Sequence, residues 1–136
     1  MKKTLILAAL AILTLGSCST QGNMNETNLS LIGKWMITKA MGKGVENAET
    51  KPYIEFAKDG RFNGNASVNS FFGDYTVKGK SLKMDHVGMT RMMGASMDIE
   101  DAVSKALNCT SSIEVKKHDA TIKDKDGKIV MSLERK

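Results

Sequence analysis

Residues 69–78, Asn69-Ser70-Phe71-Phe72-Gly73-Asp74-Tyr75-Thr76-Val77-Lys78, decide the fold. In an extended chain Phe71, Tyr75 and Val77 fall on one face, while Ser70, Asp74, Thr76 and Lys78 share the other with Phe72. A two-residue period with one apolar face is what an antiparallel sheet over a core requires. Shorter alternation of the same kind marks residues 35–37, 53–56, 82–84, 113–115 and 129–133. Asp59-Gly60, Lys78-Gly79 and Asp126-Gly127 suit tight type I′ hairpins, whose two central residues both need positive φ. Six strands joined by short turns predict a meander or a curled, partly barrel-like antiparallel sheet.

One segment departs from this period. Over residues 96–108 the apolar positions are Ile99, Ala102, Val103, Ala106 and Leu107, which is helical spacing. Asp98, Glu100 and Asp101 crowd the expected first turn and Lys105 sits near the end, as the helix dipole favours, with Ser96 placed to cap it. A single amphipathic helix in a β-rich chain covers one face or one end of the sheet. The fold class expected is α+β: a curled sheet with one helix packed on it.

Upstream of residue 29 the sequence changes character. Lys2 and Lys3 precede an uncharged run over residues 5–15, followed by Gly16, Ser17 and Cys18. Eleven apolar residues are short of the ~20 that span a bilayer, and the layout is that of a secretory signal. Leu15-Gly16-Ser17-Cys18 resembles the bacterial lipobox, in which the cysteine becomes the lipidated first residue. The expected organisation is a signal peptide over residues 1–17, a lipidated flexible tether over 18–28 and a folded domain over 29–136. Cys18 is the expected lipid attachment point, the partner is a membrane reached through that lipid, and the location is the bacterial cell envelope at the outer membrane.

The tether also corrects the charge. The full chain of 136 residues carries 20 basic and 15 acidic side chains. Removal of Lys2 and Lys3 with the signal leaves 18 basic against 15 acidic, a formal +3. With one Trp, four Phe and two Tyr, this supports no nucleic-acid stacking platform. Two cysteines are too few for a disulfide scaffold, and the scattered hydroxyl residues, acids and two histidines form no readable catalytic triad. Asp124, Asp126 and Gly127 place glycine at the fourth position of a would-be calcium loop that needs it at the sixth, so this is a hairpin.

Four motifs then carry a family resemblance. Leu31-Ile32-Gly33-Lys34-Trp35 resembles the L-x-G-x-W opening of the META domain, the HslJ-like group of bacterial envelope proteins. Pro52-Tyr53-Ile54-Glu55-Phe56 with Asp59-Gly60-Arg61 is similar to its second strand and turn. Asn69-Ser70-Phe71-Phe72-Gly73-Asp74-Tyr75 resembles N-x-F-x-G-x-Y, and Thr90-Arg91-Met92 resembles T-x-M, just before the helix. The resemblance makes Gly33, Trp35, Asn69, Phe71, Gly73, Tyr75, Thr90 and Met92 the signature residues, structural and in part ligand-facing. It implies a non-enzymatic envelope protein that binds a protein or wall component or supports stress tolerance; the partner expected is an envelope protein or a small ligand, and no cofactor is expected.

The departures from the family pattern are also informative. The family commonly reads G-C-N where this chain has Ser67-Val68-Asn69, and T-x-M-A-C where it has Thr90-Arg91-Met92-Met93-Gly94. Both family cysteines are thus absent, which is expected if the two contact or pair. The remaining Cys109 is expected to be a small buried hydrophobe.

Met84, Met89, Met92, Met93 and Met97, with His86 between them, form the densest unusual cluster. Methionine is the flexible filler of irregular cores, and that is the expected reading. The alternative is soft-ligand chemistry toward Cu(I), as part of a carrier whose sheet interior, with Phe71 and Tyr75, holds an apolar molecule or the metal.

Overall fold

The computed structural model describes residues 30–136. The expected signal peptide, Cys18 and the tether lie outside the described residues. In chain order the elements are β1 (Gly33–Ala40), β2 (Lys43–Gly44), β3 (Tyr53–Phe56), β4 (Arg61–Asn65), β5 (Ser70–Lys78), β6 (Ser81–Met89), α1 (Met97–Cys109), β7 (Ser112–Val115), β8 (Asp119–Lys123) and β9 (Ile129–Arg135). All pairings are antiparallel, and β1 pairs with both β3 and β9, so eight strands close into a barrel with β2 appended to the end of β1. Closure leaves the barrel without a free sheet edge except at one seam, where β6 and β7 share only the Ser81–Ser112 pair. The α+β expectation of a curled sheet with one helix is what the structure shows.

The barrel interior explains the reading of residues 69–78. Phe71, Gly73 and Tyr75 point inward from β5 and are buried, while Phe72 and Asp74 face outward. Directly opposite on β4, Phe62 pairs with Gly73 and Gly64 pairs with Phe71. Each aromatic ring lies over the partner strand's glycine: a Cβ on Gly73 would stand 2.7 Å from the Phe62 ring, and one on Gly64 would fall on the Phe71 ring. Large and small residues thus interdigitate, as a narrow barrel requires. Phe56 meets Tyr75 edge-on at 5.0 Å between centroids and Phe62 at 6.4 Å, which continues the aromatic stack. The Tyr75 hydroxyl donates to the Ala57 carbonyl at 2.6 Å. Burial, and then the nearby Asp59 charge, push its pKa above the ordinary tyrosine value.

One end of the barrel is sealed by the opening motif. Trp35 is fully buried, its indole N–H donates to the Leu31 carbonyl at 2.8 Å, and the Arg135 guanidinium stacks 4.2 Å above its ring. Gly33, with φ of +123°, makes the left-handed step that lets Leu31 and Trp35 meet. α1 packs Ile99, Ala102, Val103, Ala106 and Leu107 against β1, β2, β6 and β9.

Three strands were not expected from alternation, and each has a reason. β4 points Phe62 and Gly64 inward, so one of its two core positions carries no side chain. β8 buries only Ala120 and Ile122, and β2 is two residues long. The turns also differ from type I′. Gly60, Gly79 and Gly127 have positive φ, but Asp59, Lys78, Lys80 and Asp126 do not. The Asp59-Gly60 and Asp126-Gly127 hairpins are longer loops with glycine at the single left-handed position; in the second, Asp124 Oδ1 accepts the Asp126 and Lys128 N–H groups.

Candidate functional site

The segment between β6 and α1 is held by the Asn69 amide at Thr90 and Met92 and by the Glu49 carboxylate, which accepts the Ala95 N–H. Asn69, 2% exposed, accepts the Met92 N–H at 2.6 Å and the Thr90 hydroxyl at 2.9 Å on its Oδ1, and its Nδ2 donates to the Met92 carbonyl at 2.9 Å. The Thr90 hydroxyl in turn accepts the Ser70 N–H at 3.1 Å. The N-x-F and T-x-M motifs are therefore two halves of one clasp, in which an amide reads the backbone of the residue two positions after the threonine.

Glu100 completes it from the helix. Its carboxylate is 3% exposed, and Oε2 accepts the Val68 and Asn69 N–H groups at 3.0 and 3.1 Å, while Oε1 is buried with no hydrogen-bond partner. The expectation placed Glu100 simply among first-turn acids answering the helix dipole. Its position is different because residue 100 shares a helix face with Val103 and Leu107, a signal present in the spacing.

Beside the clasp, Ser96 occupies the N-cap position, but its side chain makes no cap bond. Its hydroxyl instead lies 2.6 Å from that of Ser67, and both accept the Glu49 N–H, at 3.3 and 3.0 Å. Ser67 has φ of +105°, a region that favours glycine, the residue at this place in the G-C-N pattern that the resemblance implies. The Asn65 side chain and the Ser96 hydroxyl hold it in place. Val68 and Gly94, the positions of the missing cysteines, are neighbours: a Cβ built on Gly94 stands 2.6 and 3.0 Å from the two Val68 methyl carbons. The last turn of α1 contains no basic residue, since Lys105 falls just ahead of it.

An open cleft of about 270 Å³ lies over the clasp, and Met89, Met92, Met93, Met97 and Glu100 are among the residues lining it. The structure therefore brings together four of the cluster's five methionines. Met84 is opposite Tyr75 and packs half-buried on the core, as a filler would. His86 sits at a bulge with φ of +52° and turns outward, its Nδ1 3.0 Å from the Asp74 carboxylate. Phe71 and Tyr75 are core residues and do not line this cleft.

A larger groove of about 590 Å³ runs beside Met36, Ile37 and Val45, but it is flanked by the charged side chains of Glu46, Lys51, Glu134 and Lys136, all of them exposed. Cys109 is also exposed, which corrects the expectation that it is buried. It ends the helix off the face that carries Ala106 and Leu107.

Asn69→Ala is expected to cost about 2 kcal/mol, the scale for leaving a buried donor and acceptors unpaired. Amide exchange at Met92 should rise well above that at core amides such as Ile122, and equal protection at both positions would contradict the clasp.

Among the described residues no helix is long and apolar enough to cross a membrane, and no group of three or more His, Cys, Asp or Glu is placed to hold a metal ion. The sequence matches the META domain family over residues 27–136. No curated protein matches it. Three solved structures share its fold. One is an NMR structure with TM-score 0.62 and 19% identity, covering 76% of this chain and 89% of that one. The second is a crystal structure of a DUF4847 family protein from Bacteroides vulgatus, with TM-score 0.60 and 12% identity, covering 82% and 97%. The third is an NMR structure of a protein from Burkholderia xenovorans, with TM-score 0.59 and 19% identity, covering 82% and 87%.

Proposed function

The chain belongs to the META domain family, and on that premise we propose that it is a lipid-anchored, non-enzymatic binding module of the bacterial cell envelope. The clasp carries the binding part of this reading. Gly33, Trp35, Phe71, Gly73 and Tyr75 are spent on the barrel, and Asn69 and Thr90 on fixing the Met92 backbone. The signature therefore builds a platform whose solvent-facing product is the methionine-lined cleft, rather than a set of reacting groups.

A carrier that uses the sheet interior is less well supported, since Phe71 and Tyr75 fill the core with Phe56 and Phe62. The cleft over the clasp is the face offered to an envelope partner, and stress tolerance is the cellular role the family suggests. Anchoring rests on Leu15-Gly16-Ser17-Cys18 after an uncharged run too short to span a bilayer. Several acyl chains on Cys18, each buried CH₂ adding ~0.8 kcal/mol, would hold the module on the membrane.

Expressed in bacteria, the chain should fractionate with membranes and accumulate as a precursor under globomycin, whereas Cys18→Ser should appear in the soluble envelope fraction. Identical fractionation of both forms, with no precursor, would sink the anchor.

A further inference from the structure

We propose that the cleft over the clasp is a site for a soft monovalent metal ion, Cu(I), held by the thioethers of Met89, Met92, Met93 and Met97. The inference deepens the reading of this cleft as the binding face and is independent of the lipid anchor.

Met84 and Met89 are both half-buried and pack on the core, but Met92 is 58% exposed and Met93 85% exposed, so neither of these two fills a core. Exposing two adjacent large apolar side chains costs solubility without stabilising the fold. The four residues come from three separate elements that converge. Met89 ends β6, Met97 begins α1, and Met92 and Met93 lie on the segment between them. That segment is positioned in advance, because Asn69 grips both the N–H and the carbonyl of Met92. A pre-positioned ligand set loses less conformational freedom on binding.

The ligand chemistry selects the ion. Thioether sulfur is neutral and soft and favours Cu(I), while Zn²⁺, Ca²⁺ and Mg²⁺ need imidazole, thiolate or oxygen sets. Glu100 and Asp101 line the same cleft and outweigh the single cation there, Arg91, so the site carries net negative charge toward a monovalent cation. The Glu100 Oε1, buried and without a partner, is the nearest thing among the described residues to an uncompensated buried charge. A cation in the cleft would compensate it.

The test uses the full chain carrying C18S and C109S, so that no thiol competes for the metal. It is titrated without oxygen into Cu(I) held by the chromogenic chelator bicinchoninate. One equivalent of Cu(I) should be withdrawn, and the M92L/M93L/M97L variant should weaken that withdrawal by about tenfold or more. Leucine conserves the side-chain volume, so the variant should melt like its parent. M93L alone alters only a residue that is 85% exposed and should weaken binding in the same direction without touching the core.

No withdrawal of Cu(I), or withdrawal unchanged in both variants, would overturn the site. Neither result bears on fractionation through Cys18, so failure of the metal site and failure of the anchored-module reading are distinguishable.

Discussion

Replacing Gly64 with alanine is expected to destabilise the barrel by about 3 kcal/mol, at the upper end of overpacking costs. The added methyl would fall on the Phe71 ring and on the Tyr53 carbonyl oxygen. The ring could turn only by disturbing its contact with Phe62, at 6.2 Å between centroids. The carbonyl belongs to β3, which pairs with β4 through Tyr53–Asn65 and Ile54–Gly64, and it cannot retreat without opening the ladder. Against a total stability of roughly 5–15 kcal/mol this is a large fraction, and the melting temperature should fall by more than about 10 °C. Asn63→Ala, on the exposed face of the same strand, should change it little. Equal melting shifts in the two variants would mean that Gly64 does not seat the Phe71 ring.

The opposite effect is expected from restoring the two cysteines. In a C109S background, V68C/G94C should oxidise to a disulfide and gain about 3 kcal/mol over its reduced form, the entropic estimate for a loop of this length. Val68 and Gly94 are separated by 25 residues in sequence, yet the Gly94 Cβ position lies 2.6 and 3.0 Å from the Val68 Cγ atoms. From the bond lengths of a disulfide, a Cβ stands about 3 Å from the partner's sulfur, so a sulfur introduced near either Val68 Cγ position is within bonding reach. Gly94 has no positive φ, so its backbone accepts an L side chain. The side chain that must give way is that of exposed Glu49. Intact mass should drop by two hydrogen atoms on oxidation, two protons and two electrons passing to the oxidant, and the melting temperature should rise by about 10 °C over the reduced form. A pair that stays reduced under air and copper phenanthroline would contradict the proximity of the two loops.

The chain also holds its two loops together without that link. Ser67 carries φ of +105° at the cost of about 1–3 kcal/mol for a non-glycine residue, offset by its bonds to Asn65 and Ser96. Where the family commonly places a cysteine on each of the β4–β5 and β6–α1 segments, this protein ties them with the Ser67–Ser96 hydroxyl pair, the Asn69 amide and the Glu100 carboxylate. The missing cysteines were visible in the sequence, but the polar replacement was not, because its parts lie at residues 49, 67, 69, 96 and 100.

What could be read in advance followed from periodicity. β5 alternates between its two faces along most of its length, and the helix repeats its apolar face through Ile99, Val103 and Leu107, so both were evident. β4 was hidden because glycine occupies an inward position, and Arg-Phe-Asn-Gly-Asn reads as turn chemistry until Phe71 is seen to cover it. Closure of the barrel depends on β1 pairing with β9, at the far end of the domain, which no local pattern encodes. At the site, the family motifs named Asn69, Thr90 and Met92 but not what they do together. The methionine cluster was legible as a run, but only the fold separates Met84, which lies outside the cleft, and His86, turned outward to Asp74, from the four that line it, of which Met89 also packs on the core.

The proposal of an envelope module anchored through its own cysteine is tested most directly by the intact mass of the protein extracted from bacterial membranes. The account predicts a chain that begins at Cys18, with the mass of a diacylglyceryl group and an amide-linked acyl chain added to that residue. A chain that retains residues 1–17, or that begins elsewhere with Cys18 unmodified, would contradict it.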